Sequence, residues 1–217
     1  MRDLTLSQEY LICAVNEKGT LFTFNTEKLV CLVAAALLEL QLEGCAAVDK
    51  KFITVTGPLP QEMAHLRPLY DYLNTGKPMQ TEKLLEEYTY SVTDAHLNEL
   101  MAAIGDSLVQ QGADDPGEGL PLGRSRATSH PGGHQRRGAP YPRSCWRRGG
   151  HRDVAALVIL LEQGKCLKPY FSAFEQKEMR DKLQAISQTP AGKAVRDMVE
   201  YVENLIAVMT LLVTVFT

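Results

Sequence analysis

The stretch "NTEKLVCLVAAALLELQLEG", Asn25–Gly44, decides the fold. From Leu29 to Leu40 only Glu39 is polar, so a helix here has no solvent face and must be buried on most sides. Asn25 or Thr26 is placed to cap its start, and Gly44 to end it. A helix of this kind needs other elements wrapped around it. Upstream, Thr5, Leu6 and Ser7 lead into "QEYLICAVN", a short apolar-periodic helix that stops near Asn16, before a turn at "EKG".

Downstream, "AAVDKKFITVTG" reads as a hairpin whose better strand is Phe52 to Thr56. "LPQEMAHLRPLYDYLN" is helical, with Pro68 expected to kink or split it. "TEKLLEEYTY" and "TDAHLNELMAAIGDSLVQQG" give two more helices, the second with an apolar stripe of Leu97, Leu100, Met101, Ile104 and Leu108. Three further helical stretches follow residue 152: "DVAALVILLEQG", "KPYFSAFEQKEMRDKLQAIS" and "PAGKAVRDMVEYVENLIAVMTLLVTVF". No supersecondary unit repeats. The expected fold is mainly α: one globular helical domain over 2–217 around a buried central helix, with a small β-hairpin, interrupted once at 119–152.

At 217 residues the chain can bury a substantial core. Its opening, "MRDLTLSQEY", lacks the basic and apolar regions of a secretory signal. The apolar run Leu205–Thr217 has 13 residues, short of the roughly 20 that a spanning helix needs, and reads as a core helix. The five cysteines, Cys13, Cys31, Cys45, Cys145 and Cys166, are odd in number and form no CxxC pair. They read as buried free thiols of a reducing cytoplasm. No His lies at ligand spacing from a Cys, so neither metal nor cofactor is expected.

Catalytic signatures are missing as well. The chain contains no GxxxxGK[ST], no GxGxxG after a strand, no HExxH and no GxSxG. His65 and His96 fall on expected helices without a partner motif, and a surface or packing role is the plainer reading. Glu39 is the more interesting group. A carboxylate inside an apolar run needs a cation or hydrogen-bond donors, and an internal ion pair fits that need better than a general base. The expectation is a non-enzymatic protein.

One segment departs from this composition. Gly119–Arg152 holds eight Arg with no Lys and no acid, a charge of +8, whereas the rest of the chain carries −11 against a net −3. Its core, "GRSRATSHPGGHQRRGAPYPRSCWRRGG" at 123–150, invites reading as an Arg/Gly-rich tract that binds RNA or anionic lipid. Tyr141 and Trp146 offer stacking surfaces, though no RGG spacing recurs. A plain disordered linker is a further reading.

Five passages in order, "LTLSQEYLICAVNEKGTL", "LVAAALLELQLEG", "DSLVQQG", "DVAALVILLE" and "AVRDMVEYVENLIAVM", resemble the Golgi phosphoprotein 3 family, over about 2–118 and 153–217. The chain looks most like its compact bacterial members. The resemblance implies a mainly helical domain around a central helix at Leu29–Leu42. It also implies a peripheral membrane or adaptor role, since eukaryotic members bind phosphatidylinositol 4-phosphate and link it to the cytosolic tails of Golgi glycosyltransferases. By that resemblance the lipid-binding residues here are Phe24, at the family's Trp position, and a matching Asn25. The family's three Arg positions fall on Val33, Asn98 and Met101, none of them basic. A phosphomonoester needs cationic donors, so phosphoinositide specificity does not follow. Phe24 itself has two readings: "TLFTF" as an apolar loop packed on the core, or an exposed aromatic dipping among headgroups. Expected partners are anionic headgroups or a membrane surface, tails of membrane proteins, and a second copy of the chain; nucleic acid is the alternative.

Between "DSLVQQG" and "DVAALVILLE" the family pattern has a hairpin and an amphipathic helix ending in something like "AELLEDG". With permissible codons, Pro131–Arg143 read from the second base becomes "REAINAVVHRIR". Pro142–Gly149 read from the third base becomes "AELLEEG", and any Cys145 codon before Trp146 forces Leu in that phase. An out-of-frame origin for 119–152 accounts together for Arg without Lys, the lack of acids, the Gly/Pro excess and the missing family elements. On that reading the segment is disordered and the frame is regained by about Asp153.

Overall fold

The computed structural model describes residues 4–15, 26–49, 51–89, 93–110, 151–189 and 192–216. The elements in chain order are α1 (Leu6–Ala14), α2 (Thr26–Leu42), β1 (Ala46–Val48), β2 (Phe52–Val55), a 3-10 helix (Gln61–Leu66) and α3 (Arg67–Leu73). Then come β3 (Met79–Gln80), α4 (Thr81–Thr89), α5 (Ala95–Gln110), α6 (His151–Gln163), α7 (Ala173–Ser187) and α8 (Lys193–Phe216). The expected mainly α class holds, and the small β element is a sheet.

Helix α2 is the axis. Every residue from Leu29 to Leu40 is buried, Glu39 included. α1, α4, α6, α8 and β1 pack around it. The run Ala34–Ala36 has no side chain beyond Cβ to hold those neighbours off. The helix ends as expected at Gly44, which takes φ 71°, a conformation open to Gly at little cost. Its N–H reaches the Gln41 carbonyl at 3.1 Å, and that of Cys45 reaches the Leu40 carbonyl at 2.8 Å. This crossed pair satisfies carbonyls the helix end would otherwise orphan. At the other end Thr26 is already helical, and the alternative cap Asn25 lies outside the described residues.

Pro68 splits its segment as expected. A 3-10 helix closes at Leu66, and α3 starts at Arg67 with Pro68 in its first turn, where a missing N–H costs nothing. The hairpin forms with Ala46 opposite Val55 and Val48 opposite Ile53, β2 ending one residue short of the expected Thr56. A third strand, β3, pairs Phe52 with Gln80 and Ile53 with Met79. Two residues are too few for a period-2 pattern to register, so the sheet is larger than the hairpin expected.

The outer helices differ in how much they bury. In α5 it is Leu97, Leu100, Ile104 and Leu108, with Met101 half-buried beside them. α6 buries seven consecutive residues, Ala155–Leu161, and forms a second interior layer between α1, α2 and α8. α8 turns Val202 and Leu205 inward, with Val199 and Val208 at the edge of the core. α7 buries no residue completely and rests on α8, with Met179 and Leu183 half-buried against the core. Of the segment 119–152, residues 119–150 lie outside the described residues, while His151 and Arg152 open α6. Among the described residues no helix is long and apolar enough to cross a membrane.

Candidate functional site

Two polar constellations sit on the faces of α2. The first surrounds Glu39, 6% exposed near the carboxyl end of the helix. Its Oε2 accepts from the Ser7 N–H at 3.0 Å and the Ser7 hydroxyl at 2.7 Å. Its Oε1 lies 2.8 Å from His65 Nε2, which is also 3.2 Å from Thr5 Oγ1. Thr5 is the N-cap of α1, so Ser7 is its second helical residue, and the N–H that Glu39 accepts is one that no carbonyl of the helix could satisfy. Negative charge at a helix N-terminus is also favoured by the helix dipole. Gln8 completes the joint: its Oε1 accepts from the Thr5 N–H at 3.0 Å, and its Nε2 donates to Ser107 Oγ at 2.8 Å on α5. One carboxylate therefore fastens α1 and the 3-10 helix to the axis.

The internal ion pair expected of Glu39 is present when His65 is protonated, and a hydrogen bond otherwise. His65 is no surface residue; it is buried at 5% exposure. Ser7 is 0% exposed, so this Ser, His and Glu set has no substrate access and reads as a structural joint. His96, the other histidine, packs against Tyr72 and Tyr88 with ring centroids 4.8 and 5.7 Å away.

The second constellation lies at the amino end of α2, where α1 finishes and the α6–α7 connection passes. The Tyr10 hydroxyl donates to the Lys28 carbonyl at 3.1 Å, and Lys28 Nζ donates to the Ala14 carbonyl at 3.0 Å. The Tyr170 hydroxyl donates to the Cys13 carbonyl at 3.1 Å. Lys165, at φ 57° just past α6, pairs with Glu27 in the first turn of α2. A Cβ on Gly164 would stand 2.4 Å from the Tyr10 hydroxyl, so the α6 end can close on α1 only without a side chain there. Burial pushes the Cys31 thiol up to about 12 and raises Cys166 and Tyr10 as well. These groups stay neutral and offer no nucleophile. The described cysteines, Cys13, Cys31, Cys45 and Cys166, are all buried, as expected; Cys145 lies outside the described residues. Among the described residues no group of three or more His, Cys, Asp or Glu is placed to hold a metal ion.

The family model described as Golgi phosphoprotein 3 (GPP34) matches residues 6–202. The chain belongs to that family. Searches of curated proteins and of solved structures give no match. The Golgi phosphoprotein 3 family is not one of enzymes.

Five positions carry the ligand set that the resemblance implies. Phe24 and Asn25 lie outside the described residues. Val33 is 0% exposed within α2, while Asn98 is exposed and Met101 half-buried on α5. A basic residue could reach solvent from position 98 but not from 33 without rearrangement. Lys165 was invisible as a partner of α2, since it is 138 residues from Glu27 in sequence. The only available hint was its place beside a Gly at the end of an apolar run.

Proposed function

We propose that this chain is a peripheral adaptor that meets an anionic phospholipid headgroup at the amino end of α2. The observation that carries this reading is the convergence there. Phe24 and Asn25 are covalently joined to the first turn of α2, the positive end of a 17-residue helix dipole. Lys28 and Lys165 stand at the same end. With Val33, Asn98 and Met101 not basic, headgroup charge rather than phosphoinositide identity is the expected determinant. Co-sedimentation with vesicles of phosphatidylcholine, alone or with phosphatidylserine or phosphatidylinositol 4-phosphate, tests this. Anionic vesicles should pull the protein down, and Phe24→Ala should weaken that by roughly tenfold. Binding indifferent both to lipid charge and to Phe24 would end the proposal.

The tract 119–152 enters this reading as out-of-frame sequence standing where the family has a hairpin and a helix. Sequencing the gene decides it: a single intact frame coding this tract in the source organism refutes the idea. An authentic tract would favour a second reading, carried by the Arg run at 123–150. A salt-dependent RNA mobility shift lost on deleting residues 120–150 would support it.

A further inference from the structure

The end of α6 continues through residues 164–174, "GKCLKPYFSAF", which contain two lysines, three aromatic residues and no acid. This connection is tightly built. The N–H groups of Tyr170 and Phe171 both reach the Leu167 carbonyl at 3.0 Å. Tyr170 ties it to α1 and Lys165 ties it to α2. It ends at Ser172, which caps α7: Ser172 Oγ accepts from the Glu175 N–H at 3.3 Å. The Glu175 carboxylate turns back to accept from the Ser172 N–H at 2.8 Å and its hydroxyl at 2.9 Å.

Phe174 follows, the most exposed large apolar side chain among the described residues at 76%. Four of the local acids are engaged with protein: Glu27 with Lys165, Glu162 with Arg180 at 3.1 Å, Glu178 with Lys182 at 2.8 Å, and Glu175 in the cap, while Asp181, two turns along α7 from Phe174, is exposed. Lys168 and Lys177 are exposed and have no ion-pair partner among the described residues. Lys177 is three residues from Phe174, hence on the same side of α7. An aromatic ring held outward by a capped helix, with one exposed lysine a turn further on and another in the connection that leads to it, suits the interface of an anionic bilayer. The ring enters the acyl boundary, and the flexible lysine stems leave their ammonium groups among the headgroups.

We infer that Phe174, with Lys168 and Lys177, forms a second, bilayer-inserting contact for anionic membranes, in addition to the headgroup site proposed at Phe24 and Asn25. It rests on the peripheral-membrane reading but needs neither Phe24 nor a phosphoinositide. The probe is a vesicle of phosphatidylcholine and phosphatidylserine, and the reporter is Phe174→Trp in a Trp146→Phe background. Its emission should move to the blue on vesicle addition and be quenched by brominated acyl chains.

Phe174→Ala should lower affinity by roughly tenfold, and Lys168→Glu and Lys177→Glu by at least about fivefold each. Thermal unfolding should be unchanged in all three, because the side chains are exposed. No quenching in Phe174→Trp, or unchanged vesicle affinity in Phe174→Ala, overturns the contact. So does a change from dimer to monomer in Phe174→Ala with vesicle binding intact, because a second copy would then cover this face. Loss with Phe24→Ala but not with Phe174→Ala removes only this contact. The reverse pattern removes the headgroup site and leaves this contact standing.

Discussion

Glu39→Leu should lower the stability of the domain by about 3–5 kcal/mol, the range for stranding one partner of a buried pair. The substitution keeps the side chain's bulk while removing both acceptors. Three donors lose their partner: the Ser7 N–H, the Ser7 hydroxyl and His65 Nε2. The hydroxyl can rotate, and Nε2 keeps only the longer contact to Thr5 Oγ1 at 3.2 Å. The Ser7 N–H can do nothing, because it is fixed in the first turn of α1 and buried. Thermal unfolding followed by circular dichroism should show Tm lower by roughly 10 °C, at about 2–4 °C per kcal/mol for a chain of this size. Glu39→Gln should cost much less, about 1 kcal/mol: its carbonyl still serves Ser7, and a change of His65 tautomer lets Nε2 accept from the amide. Glu39→Leu combined with His65→Leu should recover part of the loss by removing the stranded imidazole. A Glu39→Leu protein within about 0.5 kcal/mol of the parent would mean that the network does not fasten α1 to the axis.

The axis of the fold is readable in the sequence because burial on all sides leaves a local mark. Twelve residues with a single polar interruption, followed by a Gly able to take φ 71°, need no distant information. The same is true of Pro68, whose ring dictates a break, and of the stripe on α5. What fails to register is pairing across distance. Glu39 announces that it needs a partner, yet His65 stands 26 residues away on a segment with no motif of its own. β3 is too short to carry a pattern. Family resemblance locates Val33 in register, but register does not reveal exposure; only the helices packed around α2 show that position 33 is sealed. The proposed contact at Phe174 was hidden for a related reason. In "SAFEQKEM" a Phe at the start of a helix looks like a core residue, and only the docking of α7 through Met179 and Leu183 leaves it outside.

The sealing of Val33 gives the most severe substitution expected in this chain. Val33→Arg restores the cation of the family's ligand set on paper, and should unfold the protein rather than confer phosphoinositide binding. Position 33 is 0% exposed, in the middle of a helix enclosed by α1, α4, α6, α8 and β1. A guanidinium there must give up its hydration at a net cost of several kcal/mol and must also overpack the interior. Against a total stability of about 5–15 kcal/mol, that leaves little or no folded protein. Asn98→Arg is the contrasting case. Asn98 is exposed on α5, so its replacement should change stability by no more than about 0.5 kcal/mol and add a cation to the surface. Soluble yield, Tm and co-sedimentation with phosphatidylinositol 4-phosphate vesicles separate the two variants. A folded Val33→Arg protein that binds those vesicles more tightly than the parent would show that α2 can turn this position to solvent, and the enclosure of the axis would have to be redrawn.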